Sequence, residues 1–193
     1  MRIILPQSMY TNIYIIDFED SFTFNIASDL YSKFPNLKVV SHEEFFSSDF
    51  YFLDSFSSKK VIILGPGPGK PSDYLRYYSQ IEKLLNDPLV FVFGICLGHQ
   101  IIAELIGLKV SDANIKVHGE VITIKYKNKT LNVQRYNSLV PKSQNYLSEV
   151  LVIDGEVYCL ESEKFVSFQF HPESIGTDND FDFYSSIKEF LGK

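Results

Sequence analysis

The sequence has few of the features that mark a metalloprotein, a membrane protein or a nucleic-acid-binding protein. It contains only two cysteines, Cys96 and Cys159, too few for a four-thiolate zinc site or a disulfide framework. No apolar run is long enough to span a bilayer or form a signal-peptide core, so we expect a cytoplasmic protein without a membrane partner. The formal net charge is −6 and the lysines form no basic cluster, which argues against a nucleic-acid partner.

Apolar and aromatic residues, by contrast, are abundant. Of the 193 residues, 45% are hydrophobic and 15% are aromatic, which is enough to bury a sizeable core. We therefore predict one domain over residues 1–193. The Ser- and Phe-rich segment 45–58 is too apolar for disorder, and we predict a short helix or loop there.

The order of apolar and amphipathic segments predicts the fold class. Strand patterns alternate with helical patterns in the first half, which indicates an α/β fold with an open, mostly parallel sheet flanked by helices. The second half predicts additional short antiparallel strands and a closing helix. The predicted strands are 13–16, 37–40, 61–64, 89–93, 120–125, 130–133 and 150–153, and the predicted helices are 22–34, 72–86, 97–106 and 180–191.

A cysteine stands where a buried strand is predicted to turn into a helix. The run Gly94-Ile-Cys96-Leu-Gly98 has the spacing of a nucleophile elbow, in which flanking glycines allow a sharp turn and close packing. The amino end of the following helix favours a thiolate and offers N–H groups to an oxyanion. A small buried hydrophobe is the alternative interpretation of Cys96.

A base for this nucleophile is predicted near the carboxyl end of the chain. The alternating strand 165–170 delivers His171-Pro172-Glu173 just past its end. Pro172 stiffens the segment, so His171 can meet the thiol while Glu173 orients the imidazole, as in a catalytic triad. A surface turn is the alternative.

The glycine-rich segment 65–71 does not fit a phosphate site. Its prolines remove backbone donors that a phosphate cradle needs, and neither the P-loop nor the dinucleotide spacing is present. A rigid loop that offers one exposed N–H remains possible, with a plain strand-to-helix turn as the alternative.

Taken together, these motifs resemble the class I glutamine amidotransferases of the triad type. The versions present are similar to the branch of small subunits that supply ammonia to chorismate-using synthases, namely anthranilate synthase and aminodeoxychorismate synthase. The matching segments are Ile16-Asp-Phe-Glu-Asp-Ser-Phe-Thr-Phe-Asn25, Gly65-Pro-Gly-Pro-Gly-Lys-Pro71, Gly94-Ile-Cys-Leu-Gly-His-Gln100, His118-Gly119, Arg135-Tyr-Asn-Ser-Leu139 and Gln169-Phe-His-Pro-Glu-Ser174.

This resemblance implies a glutaminase that releases ammonia for a chorismate-binding large synthase subunit, with L-glutamine as substrate. Cys96 would form a glutamyl thioester, His171 would transfer protons and Glu173 would orient His171. The resemblance further implies an oxyanion hole at Gly67 and Leu97, no metal and no cofactor. The implied substrate contacts are Gly67, Pro68, Gly69, Gln100, Asn137 and Ser138.

The sequence departs from the family pattern at two positions. Asn137 stands where histidine is usual, and Glu120 follows His118-Gly119 where lysine is common. The contact with glutamine at Asn137 is expected to be made mainly by the backbone. At the segment around His118, the coupling of the glutaminase to its partner subunit is in question. Family members usually begin near Met9, so residues 1–8 are an extension or a misassigned start.

Three questions stay open from the sequence. The product can be anthranilate or aminodeoxychorismate. The chain can also be a catalytically idle regulatory subunit, or a free-standing Cys-His-Glu hydrolase. Two other histidines are not predicted to act: His42 as a solvated surface residue, and His99 as a packed residue of the elbow helix.

Overall fold

The computed structural model describes residues 13–47 and 58–192. Its α-helices are α1 (Thr23–Tyr31), α2 (His42–Phe46), α3 (Tyr78–Asn86), α4 (Leu97–Leu105) and α5 (Ser185–Leu191), with a 3₁₀ helix at Pro71–Tyr77. Its strands are β1 (Ile13–Asp17), β2 (Lys38–Ser41), β3 (Lys60–Leu64), β4 (Val90–Ile95), β5 (Lys109–Asp112), β6 (Glu120–Tyr126), β7 (Lys129–Arg135), β8 (Leu139–Lys142), β9 (Glu149–Ile153), β10 (Glu156–Glu161) and β11 (Phe165–Phe168).

The predicted α/β class is confirmed by a large mixed sheet. Its strand order is β2-β1-β3-β4-β11-β10-β8-β5, with β9 paired to β10. The first five strands in that order are parallel, and the pairs from β11 onward are antiparallel. Strands β6 and β7 form a separate antiparallel hairpin.

The central strands are apolar because both faces of the sheet are covered. Every residue of β3 and β4 is buried, which explains why these strands read as continuous apolar runs instead of alternating ones. Helices α1 and α5 pack into one hydrophobic cluster and α3 and α4 into the other. Burial of each large aliphatic side chain stabilises the fold by about 1.5–3 kcal/mol.

The hairpins of the second half turn at residues that tolerate positive φ. The β6–β7 turn uses Lys127 (φ 44°) and Asn128 (φ 62°), and the β9–β10 turn uses Asp154 (φ 51°) and Gly155 (φ 78°). Two consecutive residues with positive φ are typical of the type I′ turn, whose twist matches that of the flanking strands. Both turns lie where the sequence predicts a break.

Some local predictions are wrong in extent. Segment 72–86 begins as a 3₁₀ helix, and the closing helix begins at Ser185 instead of residue 180. The first two residues of the predicted segment 45–58, Phe45 and Phe46, are the last residues of helix α2. Most of the rest of that segment, and the proposed extension 1–8, lie outside the described residues.

His42 is not the solvated residue that its acidic neighbours suggest. It is only 6% exposed, its Nδ1 hydrogen-bonds the Tyr77 hydroxyl at 3.0 Å, and its ring stacks on Phe18 at 5.5 Å. The His42 side chain can be buried because its ring face packs on Phe18 and one of its ring nitrogens is hydrogen-bonded to Tyr77.

The parallel topology decides where functional side chains meet. Strands β1, β3, β4 and β11 are adjacent and run in one direction, so their carboxyl ends share one edge of the sheet. Ligand sites of open α/β sheets lie at this edge. Within residues 13–47 and 58–192, no helix is long and apolar enough to cross a bilayer.

Candidate active site

Cys96 occupies a strained turn between β4 and α4. Its backbone has φ 52° and ψ −101°, in the region that L-residues rarely adopt, and its N–H donates to Phe168 O at 2.9 Å. The thiol is half-buried at the amino end of α4. Strain of this kind persists only where the surrounding structure enforces it, which is characteristic of functional turns.

The two glycines of the elbow, Gly94 and Gly98, permit this geometry because each lies too close to neighbouring atoms for a side chain to fit. A Cβ on Gly98 would lie 2.1 Å from Leu64 O, and a Cβ on Gly94 would lie 2.9 Å from the Ser167 Cβ. The Gly98 N–H donates to Gly65 O at 3.2 Å, which ties the start of α4 to the end of β3. Only residues without a side chain allow α4 to begin so close to the sheet.

The predicted oxyanion pair, Gly67 and Leu97, lies side by side. A Cβ on Gly67 would come within 2.5 Å of the Leu97 side chain and 2.6 Å of Phe18. Leu97 is the first residue of α4, so its N–H has no intrahelical acceptor. The N–H of Leu97, beside Cys96 at the start of α4, and the N–H of the half-buried loop residue Gly67 can together hold an oxyanion.

His171 and Glu173 form a buried pair beside Cys96. His171 Nδ1 lies 2.7 Å from Glu173 Oε1, and the exposed fractions of the two side chains are 2% and 0%. The His171 backbone is fixed by its N–H bond to Gln134 O (3.0 Å) and by the Thr177 hydroxyl, which donates to His171 O (2.7 Å). Within the described residues, His171 Nε2 is buried and has no hydrogen-bond partner.

The charges around His171 favour its protonated form. Burial lowers the pKa of His171, but the neighbouring Cys96 sulfur and the Glu173 carboxylate together outweigh burial and raise the pKa to about 10. An imidazolium at neutral pH is the partner that stabilises a thiolate. The arrangement can therefore support a thiolate–imidazolium pair oriented by a carboxylate.

Two aromatic rings enclose the imidazole of His171. Phe22, from the loop before α1, lies 5.1 Å from the His171 ring, and Tyr136 lies 5.0 Å from it in an edge contact. Phe22 and Tyr136 also contact each other at 4.8 Å. The loop after β1 and the segment after β7 thus both fix the orientation of His171.

Gln100 and Gln169 connect the elbow to the segment that follows β7. Gln100 Nε2 donates to Leu139 O at 2.9 Å and to Gln169 Oε1 at 3.2 Å, while Gln169 Nε2 lies 3.8 Å from Cys96 Sγ. Gln169 opens the matching segment 169–174 but is not among the predicted site residues. Its signal in the sequence is an amide within the alternating run 165–170, two residues before His171, and the structure shows that it is fully buried.

The remaining predicted substrate contacts are divided between two loops. Asn137 is buried, and its side chain bonds Arg135 Nε (3.0 Å) and Leu139 O (2.9 Å), so its amide serves the loop itself. Ser138, next to Asn137, is half-buried and accepts from Ala113 N at 2.9 Å through its backbone.

The loop after β3 carries the other two contacts, Pro68 and Gly69. Pro68 O accepts from the Tyr74 hydroxyl at 3.2 Å, and Gly69 has φ 75°. Asp73 Oδ2 accepts from the Lys70 N–H at 3.0 Å, and the loop is therefore held against the 3₁₀ helix. Pro68 and Gly69 are both exposed, and they directly follow Gly67 in the loop.

The other histidines are separate from this pair. His99 is fully buried, bonds Ser167 Oγ (2.9 Å) and Val157 O (3.0 Å), and is a packing residue as expected. His118 is exposed beside Glu120. Within residues 13–47 and 58–192, no group of three or more His, Cys, Asp or Glu side chains is arranged to hold a metal ion.

Comparison with known proteins identifies the family of the chain. The family model for glutamine amidotransferase class-I matches residues 14–188. Anthranilate synthase component 2 of Vibrio parahaemolyticus is 32% identical over 177 residues, covering 86% of this chain and 89% of the relative. The corresponding protein of Archaeoglobus fulgidus is 32% identical, with 86% and 91% covered.

A solved structure shares the fold. The crystal structure of a glutamine amidotransferase of Thermotoga maritima has a TM-score of 0.65 at 18% identity, covering 84% of this chain and 76% of that one. At that identity the likeness concerns the fold alone, whereas the family match extends over most of the sequence. The chain belongs to the class-I glutamine amidotransferase family.

Proposed function

We propose that this chain is the glutaminase subunit of a chorismate-using synthase, which hydrolyses L-glutamine and passes ammonia to a large partner subunit. The observation that carries this proposal is the strained Cys96 at the amino end of α4, beside a buried His171 that is paired with Glu173. A nucleophile, a base and an orienting group in this order are the elements of acyl transfer through a covalent intermediate.

In this mechanism the Cys96 thiolate attacks the side-chain carbonyl carbon of glutamine. The oxyanion of the tetrahedral intermediate is held by the N–H groups of Gly67 and Leu97. The imidazolium of His171 gives its proton to the departing nitrogen, so ammonia leaves and a glutamyl thioester remains. His171 then takes a proton from water, which attacks the thioester and releases glutamate. Glu173 keeps the His171 ring in position throughout.

The glutamine is proposed to lie between the loop after β3 and the segment after β7. Gln100, whose amide bonds Leu139 O of the segment after β7, is assigned to the α-amino end of the substrate. Backbone groups of Asn137 and Ser138 are assigned to the α-carboxylate, because the Asn137 side chain is committed within its own loop. Pro68 and Gly69 shape the other wall.

The chorismate-using partner is supported by the relatives at about 32% identity, which are named anthranilate synthase component 2. A second candidate function is a catalytically idle subunit that binds the same synthase. The presence of Cys96 beside the paired His171 and Glu173 disfavours it, because an idle subunit has no need of a strained nucleophile. The third candidate, a free-standing hydrolase, predicts full activity without any partner.

The test combines the purified chain, glutamine and chorismate with each large synthase subunit of the same organism. We expect anthranilate or aminodeoxychorismate, identified by fluorescence and mass, and glutamate in equal amount. Cys96→Ala should abolish glutamine-dependent synthesis while ammonia-dependent synthesis by the complex continues. Normal glutamine-dependent synthesis by Cys96→Ala, or loss of both reactions, would overturn the proposal.

A further inference from the structure

Cys96 is held at two atoms by two consecutive residues at the end of β11. Its N–H donates to Phe168 O at 2.9 Å, and its Sγ accepts a hydrogen bond from Gln169 Nε2 at 3.8 Å. Gln169 is 0% exposed, and its own N–H donates to Tyr158 O at 3.0 Å, which fixes its backbone. A buried amide is costly unless its polar atoms are bonded, so the partners of the Gln169 side chain are informative.

The hydrogen bonds of Gln100 fix which end of the Gln169 amide faces the sulfur. Gln100 Nε2 donates to Leu139 O at 2.9 Å, and since a backbone carbonyl only accepts, the nitrogen of Gln100 must lie on this side. The same Nε2 donates its second hydrogen to Gln169 Oε1 at 3.2 Å. Gln169 therefore turns its oxygen toward Gln100 and its nitrogen, which only donates, toward Cys96 Sγ.

The far end of this chain of hydrogen bonds is anchored as well. Leu139 O also accepts from Asn137 Nδ2 at 2.9 Å, and Asn137 Oδ1 accepts from Arg135 Nε at 3.0 Å. Because a guanidinium only donates, Arg135 sets the orientation of the Asn137 amide. Arg135 is itself buried, with its guanidinium 4.7 Å from the Tyr158 ring. The donor that faces Cys96 thus belongs to a buried network and not to a freely rotating group.

A donor at the sulfur acts differently on the two forms of the side chain. A thiolate accepts a hydrogen bond much more strongly than a neutral thiol, so donation from Gln169 favours the anion of Cys96. The amide is neutral, and it therefore adds to the effect of the His171 imidazolium without repelling it. The same bond restricts rotation of the sulfur about the Cα–Cβ bond of Cys96.

We propose that Gln169 is a further catalytic residue, whose side-chain amide donates a hydrogen bond to the Cys96 thiolate and aligns the sulfur for attack on glutamine. This inference rests on the proposed function, in which Cys96 is the nucleophile. The hydrogen bond weakens when the sulfur loses its charge in the thioester, and it strengthens again when the thiolate leaves as glutamate is released. Gln169 gives up no proton at any step, and all proton transfer stays with His171.

Three substitutions separate the donor from the bulk of the side chain. Gln169→Met keeps an unbranched side chain of similar length and removes both polar atoms. Gln169→Glu keeps the shape and the acceptor for Gln100, but it presents an oxygen to the sulfur. Gln80→Met is the matched control, because Gln80 is half-buried and its Nε2 donates at 2.8 Å to Phe46 O, in a bond between α3 and α2 that does not involve Cys96.

Each variant is assembled with the large subunit, and glutaminase kcat and KM are measured, with ammonia-dependent synthesis as the check that the complex is intact. Gln169→Met should lower kcat about tenfold to hundredfold, the effect of one hydrogen bond to a charged group, with a much smaller change in KM. Gln169→Glu should lower kcat further, because a carboxylate repels the thiolate. Gln80→Met should keep the wild-type kcat.

Alkylation of Cys96 by iodoacetamide at pH 7 tests the contact without glutamine or a partner. The rate should fall in Gln169→Met and in Gln169→Glu, and it should stay at the wild-type value in Gln80→Met. If Gln169→Met does not fold, Gln169→Glu provides both measurements.

A wild-type kcat or a wild-type alkylation rate in Gln169→Met would overturn the inference. Equal losses in Gln80→Met and Gln169→Met would also overturn it, since they would indicate a general effect of removing an amide. Failure of the proposed function is recognised separately, because the wild-type chain would then release no glutamate with any large subunit. The alkylation rates would still report whether Gln169 acts on the sulfur.

Discussion

In the proposed mechanism the reactivity of the Cys96 sulfur depends on the imidazole of His171 beside it. Since the pKa of His171 is raised to about 10, the ring carries a positive charge at pH 7 and loses it only as the pH rises through about 10. This positive charge beside the sulfur should accelerate the alkylation of Cys96 by iodoacetamide at pH 7. In His171→Ala the charge is absent, and the rate of Cys96 alkylation at pH 7 should be at least about tenfold lower.

The second cysteine provides the control for this measurement. Cys159 is 0% exposed and burial raises its pKa, so it contributes no alkylation in the folded protein. Cys159→Ala should leave the alkylation rate at pH 7 unchanged, and Cys96→Ala should abolish alkylation. Equal alkylation rates at pH 7 in the wild type and in His171→Ala would contradict the thiolate–imidazolium pair.

Sequence reasoning at the residue scale succeeds where chemistry and spacing coincide. Cys96 was identifiable because glycines flank it, and His171 because it follows a strand with Pro172 behind it. Gln169, although it opens the matching segment 169–174, was not assigned a role, because a single glutamine in an aromatic segment has no spacing that distinguishes it. His42 was misassigned because its acidic neighbours in sequence face away from the aromatic cluster that buries it.

The elbow element depends on a glycine in the first turn of α4. Replacement of Gly98 by alanine would put a Cβ 2.1 Å from Leu64 O and 2.7 Å from Leu64 Cβ, so α4 must move away from β3. We expect Gly98→Ala to lower the free energy of unfolding by at least about 2 kcal/mol. In an unconstrained helix the same change raises stability by about 1 kcal/mol, so the sign is diagnostic. Urea denaturation followed by circular dichroism measures it.

Gly155→Ala is the matched control for this glycine. A Cβ there would meet nothing within 4 Å, although φ is 78°, so the expected cost is backbone strain of about 1–2 kcal/mol. Only Gly98→Ala should also abolish glutaminase activity, because it displaces the turn that holds Cys96. Equal glutaminase activity in the two variants would show that α4 adapts without disturbing the turn.

His99 links α4 to β10 and β11, and this link should give the fold a specific sensitivity to acid. Burial lowers the pKa of His99 to about 4 from 6.5, with its hydrogen bonds to Val157 and Ser167 opposing the shift only in part. Between these two pH values the unfolded chain binds a proton that the folded chain does not, so stability falls as the pH falls. The decrease attributable to His99 is about 3 kcal/mol.

The prediction is checked with His99→Gln, whose amide is uncharged at every pH. The variant's free energy of unfolding should fall less steeply between pH 6.5 and 4 than that of the wild type. The comparison concerns the slope with pH, because the variant also lacks the packing of the imidazole ring at every pH. If the free energies of unfolding of the wild type and His99→Gln followed parallel curves against pH, His99 would already be protonated in the folded protein or would titrate alike in the folded and unfolded states.

For the elements of the parallel sheet, the sequence predicted existence better than extent, whereas strands β5 and β8 of the second half were not among the predicted ranges. The strands of the parallel sheet were found because continuous apolar runs are typical of strands covered on both faces. The closing helix was predicted five residues too early, because Phe183 and Tyr184 are drawn into the aromatic cluster and the chain before Ser185 follows that packing. Tertiary packing of this kind leaves no local pattern in the sequence.

At the scale of the whole molecule, the candidate active site is assembled because two distant segments of the chain become neighbouring strands. Strand β4 ends next to Cys96, β11 ends just before His171, and the two pair in parallel with Phe168 opposite Ile95. The sequence predicted both strand ends but not their adjacency, since β11 reaches its place through the antiparallel second half. Family resemblance, more than local pattern, supported the expectation that they meet.

This dependence leads to a prediction about cooperativity. Because Cys96 and His171 are held by adjacent central strands, their interaction should not survive partial opening of the sheet. Across a urea titration, the enhanced alkylation rate of Cys96 in a Cys159→Ala background should disappear at the same midpoint as the circular dichroism signal. Disappearance of the enhanced rate at lower urea would place Cys96 or His171 in a segment that opens locally. In that case His171→Ala should leave the dichroism midpoint unchanged, since an interaction that is already broken before global unfolding does not stabilise the rest of the fold.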